Sequence, residues 1–256
     1  MSLDRYISVG AEGSKSLGRR FEATRPTIFL LTNSRRPQSS QSEIHARLNE
    51  VVDKHCVKPW RQPIRSHSKQ AFEAIQERAR AADRIVLDSG CGIGQSTANL
   101  ARVHSDSLVL GVDKSLHRLN KSPALPENAL LVRADLADFW RLALADGWRL
   151  EAHYLFYPNP WPKPGHLQRR WHAHPVFPSL LALGGRLELR SNFKIYVDEF
   201  IQALDVAGCH GLSVANTSAA EVVSFRPKFP ISPFEQKYLA SGHDLFKLTV
   251  DLENNK

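Results

Sequence analysis

Four polar residues stand at spacings that suggest shared chemistry: Asp88, Asp113, Asp135 and Asn159, separated by 25, 22 and 24 residues. Each closes a short apolar run, and each interval is about one strand-plus-helix unit. In a sheet wound from such units the ligand sits beyond the C-terminal ends of the strands. The spacing therefore predicts that all four lie along one crevice rim.

The first of them opens the turn Asp88-Ser-Gly90-Cys-Gly92-Ile-Gly94. Alternating glycines let the backbone approach a ligand closely and leave the amides of a following helix free. A nicotinamide dinucleotide asks for G-x-G-x-x-G with an acid about 20 residues later. Here the third glycine comes one residue early, and an acid already ends the strand. That carboxylate would repel a pyrophosphate and attract an ammonium group. The turn thus favours S-adenosylmethionine, which carries a sulfonium and an ammonium group but no phosphate. Asp113 is then placed to accept from ribose hydroxyls, and Asp135 from the adenine amino group. The competing reading is that all three acids serve only as helix N-caps.

The elements that must carry these residues are regular from residue 84 onward. Strands are predicted at 84–88, 108–113, 129–135, 151–157, 186–190, near 211–215 and at 244–252. Helices are predicted at 95–103, 136–145, 174–183 and 194–207. This alternation indicates an α/β fold with a doubly wound, mostly parallel seven-stranded sheet. Upstream, residues 1–24 read as a loose tail, 26–32 as a short strand, and 41–57 and 67–81 as helices. The expected organisation is a basic, partly flexible extension over 1–70 and a catalytic domain over 71–256.

Charge sharpens that division. Of the formal +8, residues 1–70 hold +7, from 13 Lys/Arg against 6 Asp/Glu. Such an excess favours a polyanionic partner. Cys56, Cys91 and Cys209 are sparse and far apart, without metal-ligand spacing, and no signal peptide pattern is present; a reducing cytoplasm and no metal are expected. His172 and His174 read as surface histidines. No apolar run approaches the roughly 20 residues of a membrane span, and the sequence leaves monomer and homodimer both open.

The segment after the fourth strand is the most specific. "YPNPWPKPGHLQRR" (157–170) resembles the "FPDPWPKxRHxKRR" pattern of bacterial tRNA (guanine-N7)-methyltransferases. "LDSGCGIG" (87–94), "LRSNF" (189–193) and "SPFEQKYLASGHDLFKL" (232–248) resemble further segments of that family. The resemblance covers about residues 84–250 and implies a Rossmann-like fold, S-adenosylmethionine as cofactor, and tRNA methylated on a variable-loop guanine. It implies cofactor contacts at Asp88, Gly90, Gly92, Gly94, Asp113, Asp135 and Asn159, with Asn159 at the methyl group. It also implies tRNA or guanine contacts at Lys163, Asn192, Ser232, Phe234 and Glu235. Trp161 or Tyr157 could stack on a splayed base, with Arg169 and Arg170 on phosphates.

The sequence departs from the family pattern at three places. Asn159 and Asn192 replace aspartates, and Gly165 stands where the family usually has arginine. An aspartate can accept two bonds from guanine's N1–H and amino group, whereas an asparagine accepts one and must turn a donor elsewhere. Two alternatives therefore stand beside the guanine reading. One is an amino-group (adenine or glutamine) methyltransferase using the Asn-Pro strand end; the other is a silent RNA-binding paralogue. The basic extension is expected to clamp tRNA, so that removing residues 1–65 weakens tRNA binding and spares the cofactor.

Overall fold

The computed structural model describes residues 6–7, 34–212 and 222–252. The expected tail and the strand at 26–32 lie almost wholly outside the described residues. So does most of the strand expected at 211–215; Gly211 is in a turn and Leu212 is not in a strand.

Five parallel strands form the centre: β2 (Ile85–Ser89), β3 (Leu108–Asp113), β4 (Ala129–Arg133), β5 (Ala152–Phe156) and β6 (Gly185–Ser191). β2 and β3 are buried at every position and β4 at all but its last, as strands covered on both faces must be. The sheet continues antiparallel through β8 (Phe246–Leu252) to β7 (Val223–Ser224). These make seven strands, six of them where the sequence predicts strands and β7 at a place it does not, and the two-residue β1 (Tyr6–Ile7) pairs parallel with β4 on the far edge. The order is β1-β4-β3-β2-β5-β6-β8-β7. Strand order therefore reverses between β2 and β5, and that switch point is where an open α/β sheet presents its crevice.

Helices α2 (Ser66–Arg80), α3 (Gln95–Val103), α5 (Leu136–Ala145), α6 (Phe177–Ala182) and α7 (Lys194–Cys209) cover the two faces. Between β3 and β4 lies the short α4 (Leu116–Leu119), and α8 (Pro233–Ala240) precedes β8. Ser232 caps α8 by accepting from the Glu235 amide at 3.3 Å, with Pro233 in the first turn. The Ser-Pro-x-Glu string is a readable capping signal for that helix.

The described part of the N-terminal quarter, residues 34–70, is not a separate unit. α2 runs across residue 70, and α1 (Leu48–Val57) buries Leu48, Val51 and Val52 in the same core as Tyr196, Phe200 and Leu204 of α7. The boundary expected at residue 70 thus falls inside a helix, and residues 34–70 pack as part of the domain. α1 starts seven residues later than the periodicity predicts. The backbone amide of His45 donates to the Glu199 carboxylate instead of entering a helix.

Gly185 begins β6 with φ +79°, and a Cβ there would lie 2.2 Å from the Leu150 carbonyl oxygen. Gly185→Ala is expected to cost about 3 kcal/mol, combining left-handed strain with overpacking against fixed backbone. A melting curve of the variant checks it; an unchanged midpoint would refute the tight packing.

Candidate active site

The three glycines of the first turn all occupy left-handed backbone, at φ +83° (Gly90), +62° (Gly92) and +78° (Gly94). A side chain at any of them would be strained. Cβ atoms built at Gly90 and Gly92 would meet only the Leu136 and Phe234 side chains, at 3.9 and 3.8 Å. At Gly94 the Leu131 methyl would be 2.9 Å away. Gly90 and Gly92 therefore leave room above the turn, while Gly94 permits close packing of α3 on the sheet.

Beneath the turn, Asp88 is buried, and one carboxylate oxygen accepts from Ser96 Oγ at 2.6 Å and Thr97 Oγ1 at 2.7 Å. Burial raises its pKa to about 6, against the lowering effect of those two hydroxyls. Asp88 stands behind the cavity and braces the start of α3. The cavity wall, where the contact expected with a ligand's ammonium group would be made, does not include Asp88. Ser89, which does line the cavity, is fixed from below by Trp140 Nε1 (3.0 Å) and His153 Nε2 (2.8 Å). Burial takes the His153 pKa down to about 3, so the ring stays neutral.

The other two acids line the same cavity. Asp113 accepts from the Gly92 amide at 3.0 Å and the Ser115 amide at 2.8 Å, with Arg118 Nη2 3.0 Å away. Asp135 caps α5 by accepting from the Ala137 amide at 3.1 Å, and Arg65 Nη1 lies 3.5 Å off. The capping reading and the cavity reading thus both hold for Asp135: one oxygen caps the helix while the residue remains in the wall.

Across the switch point, the turn after β5 faces the glycines. Tyr157 (φ +51°) and Trp161 (φ +43°) are the described non-glycine residues with positive φ, and they bracket Pro158-Asn159-Pro160. Strain of this kind persists only where surroundings over-determine it, and it clusters at functional sites. Anchors are present at both ends. Tyr157 donates its hydroxyl to Glu235 Oε1 at 2.7 Å, and Glu235 also receives Arg190 Nη1 at 2.9 Å and the Ile231 amide at 2.8 Å. Burial, with Glu235 adding to it, pushes the Tyr157 hydroxyl pKa up. At the other end Arg170 donates to the Trp161 carbonyl. Asn159, exposed between them, accepts from the Trp161 amide at 3.3 Å through Oδ1.

The cavity so enclosed measures about 740 Å³ and is walled by Gly90, Asp113, Asp135, Asn159, Trp161 and Phe234 among others. That volume suits a nucleoside-sized ligand together with part of a second group. The donor set fits S-adenosylmethionine: acceptor-bearing acids at two strand ends and an open glycine floor. Arg169 is exposed with its guanidinium 4.8 Å over the Trp161 ring, and Lys163 is exposed just beyond.

Several expectations are redrawn. Arg170 is wholly buried against Glu199 and cannot reach a phosphate. Glu235 is wholly buried and serves Tyr157 and Arg190 rather than a base. Ser232 is a helix cap. Asn192 lies outside the cavity wall, with its amide 2.9 Å from His243 Nδ1. His172, read as a surface residue, is buried 2.9 Å from Glu199.

Residues not foreseen join the wall: Trp60, Gln62 and Arg65 from the N-terminal segment, Lys114 and Arg118 beside Asp113, Gln168, His174 and Tyr238. Lys114 was readable from its place just after a strand-end acid. Trp60 to Arg65 carry no local pattern.

A family model described as "Putative methyltransferase" matches residues 82–248. The tRNA (guanine-N(7)-)-methyltransferase of Alkalilimnicola ehrlichii is 31% identical over 190 residues, 70% of this chain and 76% of that protein. Enzymes of the same name match from Chromobacterium violaceum (30%, covering 69% of this chain and 79% of the relative) and Pseudoalteromonas atlantica (26%, covering 80% and 87%). With a switch-point cavity built on a glycine turn and two strand-end acids, and with that similarity over most of its length, the chain belongs to the tRNA (guanine-N7)-methyltransferase family.

Proposed function

We propose that this protein transfers the methyl group of S-adenosylmethionine to N7 of a guanine in the variable loop of tRNA. The observation that carries the reading is the shared cavity: the glycine turn and the strained Asn159 turn face each other across the β2/β5 switch point. S-adenosylmethionine supplies an electrophilic methyl carbon on a sulfonium.

Guanine N7 has an in-plane lone pair and no proton, so its attack needs no general base. The new bond forms from N7 to carbon as the carbon–sulfur bond breaks, and positive charge passes to the base. The protein's task is therefore alignment, which supplies most of the acceleration in such a transfer. Asp113 and Asp135, in the cavity wall, would hold the cofactor by accepting from its ribose hydroxyls and its adenine amino group. Asn159 and the carbonyls of its proline-framed turn face the transferring group. Trp161 offers a stacking surface, and Arg169 and Lys163 meet phosphates. Family membership and the basic residues support tRNA as the partner, and the three free cysteines suit a cytoplasmic site of action.

The segment 34–70 carries +5 of the +7 in the N-terminal quarter, and part of it forms cavity wall. It contributes phosphate contacts as a docked surface.

Tritiated methyl transfer to undermodified tRNA, followed by nucleoside analysis, tests the reading. 7-Methylguanosine is the expected product. A methylated amine would transfer the assignment to amino-group chemistry. Cofactor binding without any transfer would mark a silent RNA-binding protein.

A further inference from the structure

Glu199, on α7, lies outside the cavity, yet its carboxylate gathers donors from three separate parts of the chain. It accepts from Gln41 Nε2 and the His45 amide of the N-terminal segment, from His172 Nε2 at 2.9 Å, and from Arg170 Nη1. Glu199, Arg170 and His172 are all fully buried. Arg170 spends its remaining donors on two targets. Nε and Nη2 reach the Trp161 carbonyl at 3.2 and 3.1 Å, and Nη2 reaches Gln41 Oε1 at 3.1 Å. One residue further along the loop, Ser39 donates its hydroxyl to the Pro162 carbonyl.

A buried ion pair is a poor device for stability, because desolvation offsets most of the attraction. What this one does is geometric. The guanidinium fork is rigid and planar, so an Arg170 seated on Glu199 fixes where the Trp161 carbonyl must be. Trp161 is the residue held at φ +43°, a conformation it would leave without an external constraint.

We infer that Glu199 is a positioning residue for methyl transfer, acting through Arg170 on the Trp161 backbone and through Gln41 on the N-terminal segment. The loop and the segment are thereby locked to each other, and the Trp161 ring is set against the cavity only while both are engaged. The inference rests on the proposed function for its kinetic consequence, but its structural half stands alone.

Both halves are read in one set of variants. Tryptophans are replaced by 5-fluorotryptophan, and the Trp161 fluorine signal is identified by its disappearance in Trp161→Phe. In Glu199→Gln and in Arg170→Lys, the Trp161 signal is expected to shift or broaden while those of the other tryptophans hold. Affinity for S-adenosylhomocysteine, measured by calorimetry, is expected to stay within threefold. The kcat for tRNA methylation is expected to fall at least tenfold, with KM for the cofactor unchanged. Gln41→Ala, which leaves the ion pair intact, is expected to give the same pattern more weakly, and it decides the matter if the buried variants fail to fold. A Trp161 signal unmoved in every folded variant, or a shift of all the tryptophan signals together, overturns the inference. If the unmodified protein methylates no tRNA, the proposed function falls. The fluorine spectra then still decide whether Glu199 sets Trp161.

Discussion

Asn159→Ala is expected to lower single-turnover methyl transfer about a hundredfold, the cost of misplacing a reacting group by about an ångström. Asn159 does two things in the cavity. Its Oδ1 accepts from the amide of Trp161, the strained residue two positions on, and its carboxamide stands at the end of the strand that faces the glycine turn. Alanine removes both. Because Asn159 is exposed and its one described bond is 3.3 Å long, the loss in folding stability should be only about 1 kcal/mol. The separation of the two effects is the informative part. A rate within threefold of the parent would remove Asn159 from the reaction; a large drop in melting temperature would make it a structural residue. Asn159→Asp keeps an acceptor for the Trp161 amide and adds a second oxygen. It is expected to retain turnover, with 7-methylguanosine as the product.

The second large effect concerns the N-terminal segment, where structure reverses the expectation from charge alone. Removal of residues 1–65 was expected to spare cofactor binding. Trp60, Gln62 and Arg65, however, are cavity wall, and Leu48, Val51 and Val52 are core. Losing the burial of those three apolar side chains against the remaining core costs roughly 5–9 kcal/mol at about 1.5–3 kcal/mol each, as much as the whole stability of many domains. Glu199 and Arg170 would lose Gln41 at the same time. The shortened protein should neither melt cooperatively nor bind S-adenosylhomocysteine. A cut after residue 33 keeps the contacts of residues 34–65 and most of the basic excess. Its cofactor affinity and most of its salt-dependent tRNA binding should survive. Calorimetry and filter binding across a salt series distinguish the two. Full cofactor affinity after removal of residues 1–65 would contradict the cavity described above.

Most of the Rossmann-like frame was legible because its strands are buried on both faces and its helices on one. The resulting runs and periods are local properties of sequence. α3, β3 and α5 match their predicted limits, and three of the four strand-end residues, Asp113, Asp135 and Asn159, line one cavity, whereas Asp88 is not in its wall. The elements missed are those whose stability is not local. β7 is two residues long and exists through pairing with β8, while the short α4 depends on its Ser115 cap. At the site, spacing located Asp113, Asp135 and Asn159 because strand ends are what spacing encodes. Spacing could not tell an arginine facing RNA from one facing Glu199. Arg169 and Arg170 are adjacent and chemically identical, and only the tertiary partner on α7 separates the exposed one from the buried one.

The placement of β8 also has a consequence for how the protein is made. Its seven residues pair antiparallel with β6, in register from Gly185 to Ser191, and β7 depends on it in turn. On the ribosome, β6 emerges long before its partner, and the 55 residues from Ser191 to Phe246 take roughly 3 to 10 seconds at ordinary elongation speeds. Through that interval the nascent sheet carries an open hydrogen-bonding edge beside Leu187 and Leu189. An edge left unpaired in this way is a template for wrong strand pairing, and slow codons after Ser191 would lengthen the exposure.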